Sequence, residues 1–131
     1  AAPRAAVAPS LEAPPLDLAR LGSLAADDPA FMHELVAAFR GSAARALEEM
    51  RGASAASDRE RLRRAAHKLK GASDNIGAGR LRDLALRLES CAPSAPHGEL
   101  GAHVEAIAAE LVEVDEFFSA ADISALAQRR A

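Results

Sequence analysis

The chain has 131 residues and a formal net charge of −3, with a sequence pI near 5.8; half of it is hydrophobic, but alanine and leucine dominate that half and the only aromatics are four phenylalanines. That arithmetic predicts one domain with one modest core, built by close helix packing and not by aromatic bulk, with few β-branched residues to support strands. It argues against a nucleic-acid binder, which needs basic charge and stacking rings. It also argues against a disulfide framework or a zinc site, because Cys91 stands alone, and against a membrane span, because no apolar run approaches about 20 residues.

In chain order, residues 1–15 (AAPRAAVAPSLEAPP) lack the long apolar stretch of a signal peptide and read as a flexible Pro/Ala-rich linker. With no initiating Met, they suggest a tether leading into a domain over 16–131, cut from the C-terminal end of something larger. Leu16, Leu18, Leu21 and Leu24 suggest a short first helix. Asp28 is a fitting N-cap with Pro29 at the first helical position. Phe31, Met32, Leu35, Phe39, Ala46 and Met50 then recur at three and four, marking a long amphipathic helix to about Gly52. Off that stripe, Val36, Leu47, Leu86 and Val112 are expected to be exposed.

Ser57, Asp58, Arg59 and Glu60 spell a capping box. It opens a helix through Leu62, Ala66, Leu69 and Ser73 that yields near Gly77, and the next helix carries Leu81, Leu84, Ala85 and Leu88 on one face. After a loop from Ala92 to Pro96, the residues Leu100, Val104, Ile107, Leu111, Val114 and Phe118 make the longest stripe, and Asp122 suits the cap of a short terminal helix. Short connections between four amphipathic helices imply antiparallel neighbours. The expected fold is all-α, an antiparallel four-helix bundle with short additional helices at the ends.

The chemistry concentrates opposite the third stripe. With Leu62 as zero and about 100° per residue, Ala66, Leu69, Ser73 and Ile76 fall within about 40° of it, whereas His67 sits at about 140° and faces solvent. Arg63, Arg64, Lys70 and Gly71 share its patch. A glycine inside a helix costs about 1 kcal/mol relative to alanine, so Gly71 one turn from an exposed histidine suggests room for something to approach the ring. Neighbouring cations disfavour a protonated imidazole, keep a lone pair available for attack, and would balance an acquired phosphoryl group. In isolation an exposed histidine on a basic face is ordinarily a solvated side chain.

The stretch AHKLKGASDNIGAGRLRDLALRLE resembles the signature of histidine-containing phosphotransfer (HPt) domains, with His67, Leu69, Lys70, Gly71, Ala72, Ser73, Gly77, Ala78, Leu81, Leu88 and Glu89 at the family's places. Asp27, Asp28, Phe31, Leu35 and Phe39 resemble its second-helix pattern, so most of Leu16 to Phe118 is covered. The resemblance implies a phosphorelay carrier and not an enzyme in its own right. His67 would accept a phosphoryl group at Nε2 from a receiver-domain aspartyl phosphate and pass it to a response-regulator aspartate. Lys70 would contact the phosphoryl oxygens and Gly71 would give access. The implied partners are receiver domains of a hybrid kinase and of a response regulator. The carrier would have no cofactor of its own, the Mg²⁺ being supplied by the receiver. A monomeric, cytoplasmic domain without direct membrane contact is implied, free or tethered to the inner membrane through a parent sensor kinase.

Arg63, Arg64 and Lys70 suit an acidic receiver pocket, with Asp74 beside them as a residue that tunes partner choice or simply solvates the helix end. Ser73 is assigned to packing. The polar side chain expected to orient the imidazole is not identified from sequence. His33, His97 and His103 are expected at the surface or its boundary, and the acidic series Glu99, Glu105, Glu110, Glu113, Asp115 and Glu116 as solvation and charge complement. Two alternatives stay open. One is the dimerisation and phosphoacceptor domain of a histidine kinase, in which an acidic residue usually follows the histidine where this chain has Lys68. The other is a helical bundle that binds a receiver without transfer.

Overall fold

Three aspartates start three of the helices. The Asp17 carboxylate accepts from the Arg20 N–H, Asp28 from the N–H groups of Ala30 and Phe31, and Asp58 from that of Arg61, each satisfying donors that the first helical turn leaves orphaned. The computed structural model describes residues 14–26 and 28–120. Within them lie α1 (Leu18–Leu24), α2 (Pro29–Ala55), α3 (Arg59–Ile76), α4 (Gly79–Cys91) and α5 (His97–Ala120). The capping box at Ser57 is replaced by a cap at Asp58, since Ser57 itself takes a left-handed backbone (φ 55°) in the turn. Glu60, one place too early to reach back, pairs with Arg63 instead. The helix suggested from Leu16 begins at Leu18, with Leu16 buried ahead of it. The suggested cap at Asp122 and most of the linker lie outside the described residues.

Helix α3 packs against both α2 and α4, and α5 closes the ring against α4 and α2, while the short α1 lies across α2 and α3. Cross-helix pairs fix the directions. Arg40 meets Asp115 and Arg51 meets Glu105, so α2 and α5 run antiparallel. Likewise Lys70 meets Glu89 and Asp74 meets Arg82 between α3 and α4. This is the expected antiparallel four-helix bundle. The predicted stripes form its centre: Met50, Leu62, Leu69, Leu81, Leu84, Leu88, Leu100 and Ile107 are all fully buried, with Ala53, Ala66 and Ala85 between them. Those alanines let the helices approach closely, so the alanine-rich composition serves packing and not only the linker.

Five expectations need correction. Val36 is buried and Leu47 half-buried, while Phe31, placed on the stripe, is 43% exposed. The inward face of α2 is therefore rotated toward Met32, Val36, Phe39 and Ala43, the residues that meet the other helices. His103 is buried, not a surface histidine, because it stands three after Leu100 and four before Ile107 on the apolar face of α5. Burial lowers its affinity for a proton. Glu110, read as solvation and as charge complement within the bundle, is not solvated, being only 3% exposed, but it does complement a charge inside the bundle. Arg80 donates to its Oε1 from Nη2 at 2.9 Å and from Nε at 3.2 Å, whereas its Oε2 has no partner among the described residues. Burial pushes the Glu110 carboxyl above the usual carboxylate range, with Arg80 opposing the shift.

The turn between α3 and α4 is two residues long and depends on one glycine. Gly77 ends α3 in the left-handed region (φ 84°), where a side chain is strained. The Ala78 N–H returns to the Ser73 carbonyl at 2.8 Å and the Gly77 carbonyl accepts from Asp17 N–H at 2.8 Å. That turn sets the register between α3 and α4, on which the site depends.

The Arg80–Glu110 pair gives a stability test. Arg80→Met should cost about 3–5 kcal/mol by stranding a buried carboxylate, and adding Glu110→Leu should recover most of the loss. Urea unfolding of both variants checks this; a double variant as unstable as the single would assign the cost to packing alone.

Candidate functional site

Because Leu62, Ala66, Leu69 and Ser73 turn into the core, helical geometry sends His67 outward, and its side chain is 60% exposed. The orienting side chain that sequence reasoning did not find is Glu89 on α4. Its Oε2 lies 2.7 Å from His67 Nδ1 and 3.9 Å from Arg63 Nη1, and its Oε1 lies 2.7 Å from Lys70 Nζ. Glu89 is itself only 16% exposed. A signal for it was present in the spacing. His67 stands ten residues before Gly77 and Glu89 eleven after Ala78, so two antiparallel helices joined by a tight turn bring them level to within about 1.5 Å of rise.

The contact decides which ring nitrogen carries the proton. The Lys70 ammonium, foremost, and the His67 ring hold the Glu89 carboxyl below the usual carboxylate range against the opposing effect of its burial. A carboxylate can only accept, so His67 Nδ1 must carry the proton and donate it. In a neutral imidazole the lone pair then resides on Nε2, the atom directed away from α4. The patch read as purely cationic therefore contains one carboxylate that divides it. Arg63 is drawn into pairs with Glu60 at 2.8 Å and with Glu89, and Lys70 is half-buried beside Glu89.

A Cβ built on Gly71 meets nothing within 4 Å, and the glycine is exposed, so the space beside His67 is open. Ser73 is fully buried. Asp74 lies on the surface 3.4 Å from Arg82. Arg64 is exposed, and its charge acts on the Glu49 and Glu60 carboxyls. His33 and His97 are exposed, away from His67 in sequence and without ligand partners. Among the described residues no three His, Cys, Asp or Glu side chains are grouped so as to hold a metal ion. No helix among them is long and apolar enough to cross a membrane.

Depression of the Glu89 carboxyl has a definite sign. Its folded-state pKa lies below the ordinary 4.5, so its stabilising contribution is complete above that value and is lost as pH falls through the lower folded value. Glu89→Gln should therefore lower stability at pH 7 and lessen the loss between about pH 5 and 3, as read from urea midpoints across that range.

A search of curated proteins finds no match to the chain. Among solved structures, it is similar to the X-ray structure of a rice protein assigned as a histidine-containing phosphotransfer protein, with a TM-score of 0.74 at 18% identity, covering 88% of this chain and 83% of that one. At that identity the likeness concerns the fold. The family model described as Hpt domain matches residues 34–128, a span that contains His67, Lys70, Gly71 and Glu89 and about three quarters of the chain. With His67 displayed on a four-helix bundle and its family pattern matched over that span, the chain belongs to the Hpt domain family and has a phosphorelay role in two-component signalling.

Proposed function

We propose that His67 is the phosphoryl acceptor of a phosphorelay step between receiver domains, and that the chain acts as a carrier and not as a catalyst with a substrate pocket. The observation that carries this reading is the 2.7 Å contact from His67 Nδ1 to Glu89 Oε2, which leaves Nε2 as the lone-pair atom on an exposed ring. In the forward step the Nε2 lone pair attacks the phosphorus of a receiver's aspartyl phosphate. The N–P bond forms, the acyl P–O bond breaks, and the aspartate leaves with the bonding pair as a carboxylate. The phosphorylated ring keeps its proton on Nδ1 and becomes cationic, facing Glu89. Return transfer reverses the bonds: a second receiver's carboxylate attacks phosphorus and the N–P electron pair goes back to Nε2.

Lys70, one turn from His67 and half-buried, is the cation assigned to the phosphoryl oxygens. Its contact with Glu89 holds it beside the ring before transfer. The divalent ion that such a transfer uses, Mg²⁺, is assigned to the receiver, where it would offset charge on the phosphoryl group. Gly71 leaves the receiver's loops free to close over the ring. A soluble cytoplasmic setting, alone or within a sensor kinase, fits these partners. A kinase dimerisation domain is the weaker reading because Lys68 follows the histidine.

Addition of a phosphorylated receiver should place acid-labile, alkali-stable label on the wild-type chain and none on His67→Gln; equal labelling of the two would refute His67 as acceptor. Glu89→Ala should slow transfer roughly 10- to 100-fold by freeing the ring to reorient, with the helical circular dichroism unchanged. Gly71→Arg should abolish transfer in a folded bundle, since the added side chain enters open space. Undiminished transfer by Gly71→Arg would remove the proposed reason for the glycine.

A further inference from the structure

Arg59 stands at the wrong end of its own helix for its charge. It occupies the first position of α3, where the helix dipole favours an anion over a cation. Its side chain is half-buried and crosses to the end of α4. There Nη1 donates to the Ala92 carbonyl at 2.9 Å and to the Ala95 carbonyl at 2.6 Å. Both side-chain hydrogen bonds thus go to backbone carbonyls just past the last residue of α4. That helix has no basic residue in its own last turn, so α3 supplies the cation and the donor that suit a helix C-terminus. Ala92 and Ala95 are themselves buried, which fixes the loop that receives the bonds.

The link lies close to the site. Arg59 is eight residues before His67, and Ala92 is three after Glu89, distances of about 12 Å along α3 and about 4.5 Å along α4. The Gly77–Ala78 turn pins the α3–α4 hairpin at its closed end, eleven residues from Glu89, or about 16 Å. The buried leucines between the two helices attract by burial, which is not directional, so they hold the helices together and tolerate small tilts. A tilt of about 5° pivoted at the turn would move Glu89 by about 1.4 Å. That is enough to take its 2.7 Å contact with His67 Nδ1 out of hydrogen-bond range. A side chain that ties the open end of the hairpin removes this freedom.

We propose that Arg59 is a positioning residue for the ring: by tying the start of α3 to the end of α4, it keeps the Glu89 carboxylate within reach of His67 Nδ1 and thereby keeps the lone pair on Nε2. The inference rests on the reading of His67 as acceptor only for its effect on transfer.

The test uses two variants of the full chain. Arg59→Met keeps the apolar stem and removes the donors, whereas in Arg59→Lys one ammonium can still donate to both carbonyls. Nitrogen-15 NMR of His67, at a pH where the ring is neutral, should show the Nδ1-protonated form giving way in Arg59→Met to the mixture found in Glu89→Ala, and largely kept in Arg59→Lys. Transfer from phosphorylated receiver domains of the same genome should slow about three- to tenfold in Arg59→Met. In a Glu89→Ala background the same substitution should change transfer less than twofold, because its effect passes through that carboxylate. A merely structural arginine would lower the urea midpoint of Arg59→Met and leave the ring proton unmoved in the folded chain; that result overturns the proposal. So does equal loss of the Nδ1 preference in the lysine and methionine variants, or an undiminished effect of Arg59→Met on transfer when Glu89 is absent. If wild type accepts no label while the Nδ1 preference follows Arg59, the carrier reading fails and the positioning role stands. If label is accepted and the preference ignores Arg59, the reverse holds.

Discussion

The bridge from Glu89 to His67 and Lys70 is the interaction on which the site depends. One half-buried carboxylate on α4 orients the ring, assigns its proton to Nδ1, leaves Nε2 outward, and holds the nearest ammonium at hand. Each of these could be arranged separately at the cost of side-chain entropy, of order 1–2 kcal/mol for a long polar side chain. Here a single anchored group does all of them, because both of its oxygens are engaged. The bundle's contribution is to keep α3 and α4 in one register, through the left-handed Gly77 and the buried leucines on either side of it.

That arrangement also divides the patch that reads as uniformly cationic in sequence. Cations on the α4 side of His67 are compensated by carboxylates and serve the ring. Cations on the α2 side, Arg45, Arg61, Arg64 and Lys68, line a groove around the single carboxylate of Glu49, which Arg61 engages. Gly71 marks the boundary. With no side chain on that boundary, the space beside the exposed imidazole is open.

Much of this was legible in the order of residues. The three- and four-residue spacing of Leu62, Ala66, Leu69 and Ser73 placed His67 on the outer face by rotation alone. Asp28–Pro29 marked the start of a helix, and four stripes implied a bundle. What failed did so where one helix's pattern depends on its neighbours. Phe31 and Val36 exchanged roles because the inward face of α2 is set by where α3 and α5 press on it. His103 and Glu110 were assigned by residue type although both stand at helical spacing from Ile107, and Glu110 is tolerated inside because Arg80 arrives from α4. Glu89 was noticed within the motif but received no role. Its contact is between helices, and only the short Gly77–Ala78 turn, counted outward in both directions, would have found it.

The most direct test of the central claim reads the proton on the ring. Nitrogen-15 NMR of His67 in the unphosphorylated chain, at a pH where the imidazole is neutral, should show Nδ1 protonated and Nε2 bearing the lone pair, with that preference lost in Glu89→Ala. A ring protonated mainly at Nε2 in the wild-type chain, or a preference indifferent to Glu89, would contradict the account.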